Sequence, residues 1–162
     1  MRFVLTLLTV FALAGCAGIP GPTSVRTGEA QDAVRTQLGA SATERKLASG
    51  GNAWYYVTGP SSYFTWRVVF GSNGRVTEYA QVLNMQNFLA LQEGAPRDMI
   101  LDRLGPPMER MTFSNTGTEV WTYRWLDGTF QMIADLTIAS AAGTFTQMAL
   151  IRDPAYTSAS LM

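Results

Sequence analysis

The sequence has no histidine, one cysteine and one lysine. Without histidine the chain loses the commonest general base, the commonest zinc ligand and every Ser-His or Cys-His nucleophilic arrangement. A single cysteine, Cys16, permits no intramolecular disulfide in any compartment and leaves no thiol catalyst elsewhere. Net charge is missing too. Twelve basic and twelve acidic residues cancel, and setting Arg2 aside with a signal segment leaves 11 against 12, a net charge of −1. No basic field recruits nucleic acid, and no polybasic patch holds anionic lipid. Eleven of the twelve basic residues are arginine, a bias that codon usage accounts for at least as well as interface chemistry. The phosphate loop, the nucleophile elbow and the dinucleotide fingerprint are all absent from the sequence.

What is present begins at the N-terminus. Arg2 followed by the apolar run 3–14 has the layout of a secretory signal. A helix of that length reaches about 18 Å, against roughly 30 Å of hydrocarbon in a bilayer, so the run is too short to span. It ends in Leu13-Ala14-Gly15-Cys16, which resembles the bacterial lipobox. The resemblance implies cleavage before Cys16, a diacylglyceryl thioether on its sulfur and an acyl chain on its nitrogen. Two chains already anchor a protein stably, and three hold it more firmly. Ala17 stands where lipoproteins kept at the inner membrane carry Asp, which implies the periplasmic face of an outer membrane. Residues 1–15 are then signal peptide, and 16–27, bearing Pro, Gly and Ser, a lipidated flexible tether.

The rest of the chain says one thing twice. At an offset of 66, Gly28 falls on Gly94, Asp32 on Asp98, Val34 on Ile100, Leu38 on Leu104 and Gly39 on Gly105. Met99, Ile100 and Leu104 share one side of a helix and Asp98 and Asp102 the other, which predicts about three helical turns packed by one face. Pro96 suits the helix start, and Gly105-Pro106-Pro107 stop it. The period then drops to two. Trp121, Tyr123 and Trp125 alternate with Thr122 and Arg124, and Trp54 and Tyr56 answer them in the first copy. Further strands are predicted in "SYFTWRVVFG" and "GTFQMIADLTIA", with turns at "GSNG" and "SAAG", then in "RVTEYAQVL" and "TFTQMALIR". Short strands in "ATERKLA" and "MERMTF" join each helix to its sheet, and "NMQNFLALQ" makes a helical turn between copies.

The expected architecture is α+β: two repeats of short helices plus a three- or four-stranded antiparallel meander, the helices packed on one face of the sheet. The repeats run 28–84 and 85–153, with a C-terminal tail at 154–162. A half of about 65 residues buries only about 60% of its unfolded surface, so the two are expected to share one sheet or one core.

"EGAPRDMILDRLGPP" followed by "TEVWTYRW" and "LTIASAAGTF" resembles the SmpA/OmlA domain of the BamE lipoproteins. The match is good over 85–151 and loose over 27–83. It implies helices on one face of an antiparallel sheet and a role in, or assisting, the outer-membrane β-barrel assembly machinery. Ala30 and Pro96 depart from the Ser or Thr with which the family opens its helix, which removes the usual side-chain cap. The family has one such unit and this chain two. A tandem of this kind is similar to the secreted β-lactamase inhibitor proteins, in which a concave sheet grips an enzyme.

Candidate chemistry is sparse. Asp98 and Asp102, one turn apart, could form an acid/base or metal pair, but no third ligand joins them and a solvated helix face is the expectation. Trp121, Tyr123 and Trp125 could stack a ligand, but their period-two spacing assigns them to core packing. If the Trp/Phe side lies under the helices, Tyr55, Tyr63, Arg67, Arg124, Ile133 and Asp135 face outward, and Tyr plus Arg on a sheet is the composition of a protein interface. The functional expectation is a non-enzymatic outer-membrane lipoprotein without cofactor or metal, lipidated at Cys16. It acts through envelope proteins, the barrel assembly machinery among them, and not through nucleic acid. The alternative is a tethered periplasmic binder or inhibitor.

Overall fold

A computed structural model describes residues 25–58 and 63–157. The expected signal segment, Cys16, the tether as far as residue 24 and the tail from 158 lie outside the described residues.

Within them one helix precedes the first four strands and two helices precede the second four. α1 (Gln31–Leu38) precedes β1 (Thr43–Lys46), β2 (Asn52–Thr58), β3 (Phe64–Phe70) and β4 (Val76–Gln81). α2 (Met85–Leu89) and α3 (Arg97–Leu104) precede β5 (Glu109–Phe113), β6 (Thr118–Asp127), β7 (Phe130–Ala139) and β8 (Thr144–Arg152), and α4 (Pro154–Thr157) adds a turn. The strands form two separate antiparallel sheets, each in sequence order, β1-β2-β3-β4 and β5-β6-β7-β8. The fold is α+β with few, short helices.

The repeat extends to individual hydrogen bonds. Gly28 N donates to Val76 O at 2.8 Å, and Gly94 N to Phe145 O at 2.8 Å. Val76 N donates back to Glu29 O at 2.9 Å, and Phe145 N to Ala95 O at 2.8 Å. The segment before each helix is thus paired to the last strand of its own unit, with bridges Ala30–Arg75 and Pro96–Thr144. Neither α1 nor α3 has a side-chain cap, and these main-chain bonds set the helix entry instead. At the exits Gly39 and Gly105 take φ of +79° and +78°, conformations that favour glycine, and donate to Arg35 O and Leu101 O at 2.9 Å each.

Two expectations need correction here. α1 and α3 have eight residues each, a little over two turns rather than three. In α3 the buried stripe is Ile100 and Leu104, with Leu101 packed against the same cluster, while Met99 is 50% exposed because it sits 100° round the helix from Ile100.

The units also do not share a sheet or a core. One buried cluster holds Val34, Trp54, Tyr56, Val68, Phe70 and Val76. The other holds Phe88, Ile100, Leu104 and the sheet residues Trp121, Tyr123, Trp125 and Leu136. Period two turns each Trp-bearing face into its own unit, so each unit closes its own apolar core. Leu83 already belongs to the second cluster, so the crossover between units is structural and not a slack linker.

Candidate functional site

Tyr55, Tyr63 and Arg67 are the first test of the expected outward face, and they do not face outward. The alternation that sends Trp54 and Tyr56 into the first core sends Tyr55 to the other side of that sheet, as expected, but the second unit covers that side. Tyr55 has no exposed surface, Thr65 is 1% exposed and Tyr63 is buried. Alternation shows which side a residue takes and says nothing about whether that side is occupied.

What occupies it is the C-terminal end of α3, whose last carbonyls have no partner within the helix. Tyr55 Oη donates to Asp102 O at 2.8 Å, and Arg67 Nη1 donates to the same oxygen at 2.9 Å. The first unit therefore caps the second unit's helix, with a cation at the negative end of its dipole. Arg45 of β1 reaches both helix carboxylates, through Nε to Asp102 Oδ1 and through Nη2 to Asp98 Oδ1 at 3.0 Å. Asp98 and Asp102 are thus not a merely solvated face; Asp102 in particular is half-covered and engaged from across the chain. Burial works against the Arg45 charge, yet the hydrogen bonds it donates to Asp102 and Asp98 outweigh this and hold its pKa above the ordinary value. A second seam joins Tyr63 Oη to buried Asp153 Oδ2 at 3.2 Å, with Arg124 Nε 3.2 Å from that oxygen. Arg124, expected to face a partner protein, is spent on this internal pair.

Between the seams lies a cleft of about 230 Å³, bordered by Val57 and Thr65 from one unit and by Pro106, Pro107, Met108 and Arg124 from the other. Its lining offers apolar surface and a cation already paired with Asp153, with no carboxylate or thiol. Among the described residues no group of three or more His, Cys, Asp or Glu side chains is placed to hold a metal ion.

Burial raises the pKa of the interface and core tyrosines. Tyr55 and Tyr56 are each pushed up to about 12 by desolvation, and Tyr63 and Tyr123 are also raised, by burial first. In the unfolded chain these phenols ionise near pH 10. Below pH 10 both states hold the protons and the stabilisation is complete. As pH rises from 10 towards 12 the unfolded chain sheds them first, so stability falls. The urea midpoint should therefore be flat up to about pH 10 and drop steeply above it, with tyrosinate absorbance rising together with unfolding. A midpoint that holds to pH 12 would contradict this.

The second sheet differs at the same station. Tyr55 opposes Arg67 across β2 and β3, and the corresponding pair across β6 and β7 is Thr122 and Asp135, bonded to each other at 2.6 Å. Ile133, Asp135 and Thr137 remain half-exposed in the middle of the sheet. Around them Met111 and Phe113 on β5 and Ile151 on β8 are 47%, 39% and 45% exposed. Register sets Ile151 opposite Ile133 and Met111 opposite Val120, so these apolar side chains share one face. Of the six expected interface residues, only Ile133 and Asp135 lie in the open part of this face. Met111, Phe113 and Ile151 were not expected there, although the alternation in "ERMTF" and "MALIR" carried the signal.

These features define a two-unit α+β module with one sheet face turned inward against the other unit and one left open. No protein-family model matches the chain, and no curated protein matches it, so the motif resemblance to the SmpA/OmlA domain is not joined by a family-level match. Among solved structures, a Streptococcus mutans protein described as a candidate β-lactamase inhibitor protein is similar at 11% identity and a TM-score of 0.32, covering 74% of this chain and 80% of that one. A likeness of that size carries no argument about function.

Proposed function

We propose that this chain is a non-enzymatic envelope lipoprotein, anchored through Cys16 at the periplasmic face of an outer membrane, that works by holding another protein on the open face of its second sheet. The observation that carries this reading is the contrast between equivalent faces: one is filled by α3, while the other presents Met111, Phe113, Ile133 and Ile151 around a small polar centre. An apolar patch with a polar minority suits a protein partner. Ile100 and Leu104 of α3 share a buried cluster with Trp121 and Leu136, which supports a helix layer on the inner face of that sheet, as the BamE resemblance implies. The repeat boundaries at 28–84 and 85–153 belong to the same proposal. In this reading the partners are envelope proteins, with the β-barrel assembly machinery the first to test.

Photocrosslinkers at Ile133 or Asp135 should capture a specific envelope protein, while one at exposed Asp32 on α1 should not. Equal capture at all three positions, or none, would remove the surface. Fatty-acid labelling that survives Cys16→Ser would remove the anchor. The tandem of two α–β4 units favours a second reading, a tethered inhibitor of a periplasmic enzyme. Deletion separates the two: barrel-protein loss and a leaky outer membrane fit an assembly accessory, and a gain of hydrolase activity fits an inhibitor.

A further inference from the structure

Among the described residues the two sheets end in four strand edges; β1 is blunted by charge, and β4 and β8 only at their starts. β4 and β8 are each covered at their start by the pre-helix segment of their own unit, residues 28–30 and 94–96. β1 carries charge on three successive residues, Glu44, Arg45 and Lys46, which is how edge strands resist pairing. β5 occupies β1's place in the second unit: Ala42 N donates to Tyr55 O, and Met108 N to Thr122 O, at the same point of each meander. There the charge gives way. Met111 stands where β1 has Arg45, and all five residues of β5 are exposed, with Met111 and Phe113 on one face.

We infer that β5 pairs antiparallel with β5 of a second copy of this chain, joining two four-stranded sheets into one of eight strands. A two-fold contact sets the strand against itself, so the strand must be complementary to its own reverse. Centred on Met111, the pairing uses all five residues. It sets Glu109 opposite Phe113 and Arg110 opposite Thr112, so no like charges meet. Centred on Arg110 it would oppose two guanidiniums, which disfavours that register. Arg110 is also held back over the Trp121 ring at 4.3 Å, clear of the edge. The contact lies in the strand edge and does not depend on what the open sheet face binds.

The test uses the full chain in detergent with Cys16→Ser, so that any added cysteine is unique. Facing residues of a non-hydrogen-bonded antiparallel pair have Cα atoms about 4.5 Å apart, within the roughly 4.4–6.8 Å that a disulfide spans. Mild oxidation of Met111→Cys should give a covalent dimer as the main species, and Lys46→Cys on the equivalent edge should stay monomeric. Sedimentation of the uncrosslinked chain should show a dimer that Met111→Lys abolishes, with an unchanged circular dichroism spectrum, and that Met111→Leu retains. Equal crosslinking at Met111 and Lys46, a chain that stays monomeric with no Met111→Cys dimer, or crosslinking of Met111→Cys only to a different protein would each overturn the inference.

Discussion

Gly105→Ala is expected to cost about 2 to 5 kcal/mol, clearly more than Gly39→Ala, although the two glycines are equivalent in the repeat. Their φ angles are +78° and +79° with extended ψ, so alanine meets the same strain at both, on the order of 1 to 3 kcal/mol. The surroundings differ. A Cβ at position 39 would have nothing within 4 Å, whereas one at 105 would lie 2.7 Å from Tyr55 Cδ1 and 2.9 Å from Thr65 Cγ2. Both neighbours are buried in the first sheet and cannot swing away, so the added methyl must push the units apart or displace the capped end of α3. Urea unfolding of the Gly105→Ala chain should accordingly lose its single sharp transition, while the Gly39→Ala curve shifts without broadening. Equal costs at the two positions would mean that the tight seat at Gly105 contributes nothing.

Trp54→Ala and Trp121→Ala should each remove about 3 to 5 kcal/mol, the usual penalty for emptying a large buried aromatic site. Trp54 packs edge-on against Phe70 at 4.6 Å with Arg35 4.5 Å above its ring, and Trp121 donates its Nε1–H to Glu119 at 2.9 Å. They belong to different clusters. The useful observation is therefore the shape of the curve as well as its midpoint. Because Tyr55, Arg67 and Arg45 tie the first sheet to α3, damage to either cluster should lower one common transition. A curve in which half the amplitude shifts and half stays would show that the units unfold separately and that the polar seam is too weak to couple them.

The repeat, the strands and the buried tryptophans were legible in the sequence because each depends on local periodicity: a helical stripe around Ile100 and Leu104, then alternation around Trp121 and Tyr123. The relation between the units was not legible. Nothing in the spacing of Tyr55, Arg67 and Asp102 indicates that the first two would share one carbonyl of the third, because that bond joins residues brought together only when two finished units meet. The expected outward exposure failed for this reason at Tyr55, Tyr63 and Arg67, while Ile133 and Asp135 stay half-exposed. Met111 and Phe113 could have been found, because they alternate with Arg110 and Thr112 within "ERMTF". The uncapped helix starts were read correctly from Ala30 and Pro96, but the substitute for the cap was invisible, since it comes from strands far along the chain.

That substitute has a kinetic consequence. The uncapped helix of each unit emerges before the strands of that unit, yet its entry is held by bonds to the far end of the meander, at Val76 in one unit and at Gly143 and Phe145 in the other. An eight-residue helix without a side-chain cap is too short to persist alone in water. It must therefore wait for the whole meander to form behind it. Closing so long a loop before any gain is returned is the kind of step that slows folding. Each unit thus folds as an all-or-nothing ring, and a chain cut short before β8 would retain neither α3 nor the seat that α3 provides for the first sheet.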